Sequence, residues 1–127
     1  MLQINILHVG NIKDKFFADA VAEYEKRLSS SCKLRNIELK EEKPPENPSA
    51  AEISSLIRKE GDRLLASLPQ KSYSIALCIE GTELSSEELA AKLSGITVSG
   101  YSGLPSSLIT SFGRSISTGP GLPVRAI

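Results

Sequence analysis

Few side chains in this 127-residue sequence have the type and spacing to do chemistry. His8 is the only histidine. It sits inside an apolar run, where a satisfied core histidine is the expectation. No nucleophile is placed near it, so neither a Ser/His/Asp nor a Cys/His arrangement is supported. Cys32 and Cys78 make neither a disulfide framework nor a metal site, which needs clustered ligands, and both read as core. Glu80 and Glu83 could pair as acid and base, but two carboxylates flanking a loop read as solvated. Two glycine-bearing loops remain, Val9-Gly10-Asn11 and Ile79-Glu80-Gly81. Either Gly10 and Gly81 permit tight turns, or backbone amides there meet a ligand carboxylate or ribose. There is no G-x-G-x-x-G and no phosphate-loop motif, which argues against a dinucleotide or nucleoside triphosphate site.

These loops must be held by the elements around them. Leu2–Val9 is a short apolar run ending at Gly10 and reads as a buried strand. Phe16, Phe17, Ala20, Val21, Tyr24 and Leu28 recur at helical spacing among charged residues, which predicts an amphipathic helix. Cys32–Leu39 reads as a second strand. The loop from Lys40 to Pro48 carries Pro44, Pro45 and Pro48, which block both helix and ladder bonding. Ser49 with Glu52 matches a capping box and opens a helix with Ile53, Leu56, Ile57, Leu64, Leu65 and Leu68 on its apolar face; Pro69 ends it. Tyr73–Ile79 is nearly all apolar, as expected of a strand covered on both faces, with Leu77 buried in a central position. Ser85 with Glu88 is a second capping box and starts a short helix through Leu89 and Leu93. Strand and helix alternate, so the fold class is α/β, a three-layer sandwich with a mostly parallel sheet. Ligands in such sheets sit at the carboxyl ends of strands, where both glycine loops fall.

Lys plus Arg and Asp plus Glu both number 15, so bulk charge does not drive nucleic-acid binding. The absence of Trp and the 5% aromatic content argue against base-stacking platforms. No signal peptide opens the chain and no stretch has the apolar length of a membrane span, so a soluble, reduced, cytoplasmic protein is expected. Charge is uneven: every acidic residue lies at or before Glu88, and 15 of the 29 residues from Ser99 to Ile127 are Ser, Gly or Pro. Such a stretch buries too little apolar surface to offset its ordering entropy. The first 93 residues are therefore expected to fold, and the last 29 read as a linker or an error.

The opening Ile4-Asn5-Ile6-Leu7-His8-Val9-Gly10-Asn11-Ile12-Lys13 resembles the start of the RlmH family, ribosomal large-subunit pseudouridine N3-methyltransferases of the SPOUT (knotted α/β) class. The likeness continues through Glu23–Leu28, Cys32-Lys33-Leu34, Glu60-Gly61, Leu77–Gly81 and Leu84–Ala90, and ends at Ser99-Gly100-Tyr101-Ser102. It implies an S-adenosylmethionine (SAM) methyl donor, a homodimer, and 23S rRNA within the ribosome as substrate, with no metal. Leu77 matches a family position that contacts SAM, and Glu80 and Gly81 fall in the same stretch. The family's Gly-Gly loop, Pro-His-Gln element and Tyr-His tail have no match here. The resemblance therefore implies a SPOUT-like fold with the knot-forming C-terminal part missing, and a chain with little or no activity as written. Family members continue after Gly-Tyr-Ser with an apolar strand of the type Ile-Thr-Phe-Ile-Ile. Codons for Gly103–Leu108 read out of step can spell that strand, so a frameshift after about residue 102 is expected, the other reading being a naturally divergent or truncated tail. The resemblance thus divides the chain into an α/β domain over residues 1–102 and an aberrant, loosely packed tail over residues 103–127. The alternatives are a non-enzymatic α/β binding or dimerisation module, or a non-functional product.

Overall fold

A computed structural model describes residues 2–70, 72–77, 82–98 and 106–110, the last segment as backbone. The elements follow in the order β1 (Leu2–Val9), α1 (Lys15–Leu28), β2 (Cys32–Leu39), α2 (Ala50–Ala66), β3 (Ser74–Leu77), α3 (Ser86–Ile96) and β4 (Ser106–Thr110). The four strands form one sheet in the order β2-β1-β4-β3, and every pairing is parallel. The α/β class and the parallel sheet are as the sequence predicts.

Side-chain alternation divides the sheet into two faces. Leu7 pairs with Ile37 and Val9 with Leu39, so these four share a face. Leu64 of α2 packs there: Leu7 and Leu64 are the fully buried pair at the centre, with Val9, Ile37, Leu39 and Leu68 around them. The opposite face carries Cys32, Leu34 and Asn36, and α1 lies there, joined by the Asn36 amide donating to Glu25. Ile75 and Ala76 are adjacent in β3, hence on opposite faces, and both are buried. That strand is covered on both sides, as its unbroken apolar run implies.

Helix starts follow their capping residues. The Asp14 carboxylate accepts from the Phe16 amide at 2.8 Å. Ser85 and Glu88 form the full reciprocal box that the sequence predicts. Ser49 completes only half of its own: its hydroxyl accepts from the Glu52 amide and donates to the Glu52 carboxylate, which therefore does not reach back to the Ser49 amide. Such caps contribute about 1 kcal/mol each.

Three features differ from the sequence reading. First, α1 has no buried residue, and Phe17, Val21, Tyr24 and Leu28 form an exposed row at positions i, i+4, i+7 and i+11. Ala18, Ala20 and Glu25 are its half-buried residues, and Glu25 links it to the sheet through Asn36. Second, Leu77 is half-buried and lies in β3, whose only partner among the described strands is β4. The central positions belong to β1 and β4. Third, residues 106–110, inside the stretch expected to be a loose tail, form β4. It pairs with β1 over Ile4–His8 and with β3 over Ser74–Leu77. The apolar content a strand needs is local, and the surrounding Ser, Gly and Pro hide Leu108 and Ile109 from a composition count. Residues 103–105 and 111–127 lie outside the described residues, and with them the expected loss of the knot-forming part.

One buried group is unexplained by packing. Asn5 is 5% exposed on the α2 face, and among the described residues its side chain makes no hydrogen bond. A buried amide without partners carries its desolvation cost uncompensated. Asn5→Val is expected to raise stability by about 1–2 kcal/mol, read as a higher denaturant midpoint at unchanged slope. A lower midpoint would show that the amide has a partner.

Candidate functional site at the carboxyl edge of the sheet

All four strands run the same way, so their carboxyl ends share one edge, where open α/β sheets bind ligands. At the end of β1, Gly10 adopts φ +75°. A side chain there would be strained, and a Cβ would also come to 3.4 Å from the Glu41 carboxylate. The Gly10 amide donates to the Leu39 carbonyl at 2.9 Å. Of the two readings for Gly10, this geometry supports the tight turn: its amide is spent on β2.

His8 is half-buried rather than core. Its Nδ1 lies 2.7 Å from the Gly10 carbonyl oxygen. A carbonyl can only accept, so Nδ1 carries the hydrogen and the neutral ring keeps Nε2 as its acceptor. Residue 110 of β4 is the register partner of both His8 and Leu77. The sequence did not show this row, because His8 and Leu77 are brought together by a strand lying beyond both in the chain.

Leu77 ends β3 at the same edge. Cys78, Glu80 and Gly81 lie outside the described residues, while Cys32 is buried as expected. Glu83 is exposed in the loop before α3. The amino end of α3 carries a full capping box. The Ser85 hydroxyl takes the Glu88 amide, and the Glu88 carboxylate takes the Ser85 amide at 2.7 Å. The Glu88 carboxylate thus lies at the helix terminus, and a second carboxylate there would meet its charge.

A cavity of about 250 Å³ that the sequence did not suggest lies between the proline-rich loop and α2, lined by Glu41, Glu42, Ile53, Leu56, Ile57 and Glu60 among others. Arg63 fixes that loop, donating to the Lys40 carbonyl at 2.9 Å and pairing with Glu42. The Glu42 amide donates to Glu60 at 3.1 Å. Among the described residues there is no cluster of His, Cys, Asp and Glu able to hold a metal, and no helix long and apolar enough to cross a membrane.

The sequence of this chain matches a known family. The model for "Predicted SPOUT methyltransferase" matches residues 2–113, through the whole of β4. The chain belongs to the SPOUT methyltransferase family. Proteins of that family similar to it include the ribosomal RNA large subunit methyltransferase H of Leuconostoc mesenteroides, 43% identical over 101 residues that cover 80% of this chain and 64% of the relative. Its namesakes in Streptococcus thermophilus and Streptococcus equi subsp. zooepidemicus are 43% and 44% identical over the same coverage. The match thus spans 64% of the relatives' length. The family match runs past residue 102, so the SPOUT pattern covers part of the stretch that composition set apart.

Proposed function

We propose that this chain is built for SAM-dependent methyl transfer to N3 of a pseudouridine in 23S rRNA, in the cytoplasm and as a homodimer. The carrying observation is the carboxyl edge, where β3 ends on the half-buried apolar Leu77 beside β4 in a sheet of SPOUT type. The relatives' names, which specify the large ribosomal subunit, support the substrate.

Leu77 fits one apolar wall for the methyl donor, and we assign Glu80 and Gly81 to the same donor site. SAM supplies an electrophilic methyl group when bound. The residues of this chain bind and orient it, since catalysis of this kind rests on positioning donor against acceptor. Pockets usually enclose about 70–90% of a ligand, and one wall falls well short of that.

The test is a calorimetric SAM titration of two proteins: the chain itself, and a chimera in which the Leuconostoc mesenteroides relative supplies everything after residue 102. Saturable binding is expected in the chimera and affinity lower by orders of magnitude in the chain. Leu77→Asp in the chimera should abolish binding. A folded chimera with no affinity for SAM would overturn the assignment.

The exposed row on α1 supports the homodimer, because a second copy would cover it. Val21→Asp leaves the described core untouched, so it is expected to give a folded monomer by sedimentation. An unchanged dimer would place the interface elsewhere.

A further inference from the structure

We propose that Nε2 of His8 is the acceptor for the imide N–H of the uracil-type base that receives the methyl group; the inference rests on the methyltransferase reading above. Three observations converge on it. The imidazole stands at the carboxyl edge, at the penultimate position of β1. Its Nδ1 hydrogen is held by the Gly10 carbonyl at 2.7 Å, which fixes the ring and leaves Nε2 as the one free nitrogen with a lone pair. Its strand is separated from the Leu77 strand by β4 alone, with residue 110 in register with both. Two strand spacings are about 9.6 Å, so Leu77 and His8 flank β4 at one edge of the sheet.

The chemistry is balanced at the imide. The N3–H bond breaks, the Nε2–H bond forms, and the electron pair stays on N3, which becomes the nucleophile. The ring then carries both hydrogens, with Nδ1–H still on Gly10. Glu38 is the register partner of His8 on β2, about 4.8 Å away between strands and on the same face. In the sequence a single histidine in an apolar strand reads as core. The bond from its ring to the turn two residues on is what marks it.

Because the chain has one histidine, its imidazole C–H signals in the NMR spectrum need no assignment. The full chain is titrated with uridine 5′-monophosphate and, separately, with its 3-methyl counterpart, which lacks the imide hydrogen. The expected result is a saturable shift of both imidazole signals with uridine monophosphate and none with the methylated nucleotide. Equal shifts with the two, or no shift with either, would overturn the proposal. Failure of the chimera to bind SAM alongside a retained imidazole response would instead overturn the methyltransferase reading alone.

Discussion

Leu7→Ala is expected to lower the unfolding free energy by about 2–5 kcal/mol, the range for truncating a large side chain in a packed core. Leu7 is 0% exposed and faces Leu64, with Val9, Ile37, Leu39 and Leu68 completing the cluster. Its deletion leaves a hole between β1 and α2 that neither a strand paired on both sides nor a 17-residue helix can close by moving. For a domain with about 5–15 kcal/mol in total, that loss is a large fraction. The same change at half-buried Leu77 should cost clearly less, so the two midpoints together locate the core. Equal losses would move the core toward β3.

Ile109→Pro is expected to be at least as damaging, by another route. Residue 109 is paired to Leu7 on one side and Ala76 on the other, in a strand with neighbours along both edges. Proline removes a ladder donor and leaves a buried carbonyl without its partner, about 1–3 kcal/mol before any steric cost. The consequence extends further because β3 joins the sheet through β4 alone among the described strands. Loss of β4 therefore detaches Ser74–Leu77, and protection of those amides against hydrogen exchange should collapse with it. Ser106→Pro is the control: proline is tolerated at the first residue of a strand, so stability should change little. A loose tail over residues 103–127 would make both substitutions silent.

Most of the fold is legible in the sequence, since its signals are local. Gly10 marks the end of β1, Ser85 and Glu88 mark the start of α3, and the apolar run of β3 announces burial on both faces. What stayed hidden depends on pairing between distant segments. Ser-Ser-Leu-Ile-Thr reads as tail because its neighbours are Ser, Gly and Pro, yet it fills the slot between β1 and β3. Amphipathic spacing in α1 says that an apolar face exists, not whether the same chain covers it, and here Phe17 and Tyr24 are open. The candidate site divides the same way. Leu77 came from resemblance and stands at the carboxyl edge, whereas the role of His8 depends on a hydrogen bond and a strand register that no spacing encodes.

The most direct test of the central claim is methyl transfer itself. Ribosomes lacking the modification are incubated with labelled SAM and the chimera carrying residues 1–102 of this chain, and the 23S rRNA is digested and read by mass spectrometry. The account predicts label on N3 of a single pseudouridine, lost with Leu77→Asp. A folded, SAM-binding chimera that leaves 23S rRNA unlabelled, or labels another position, would contradict it.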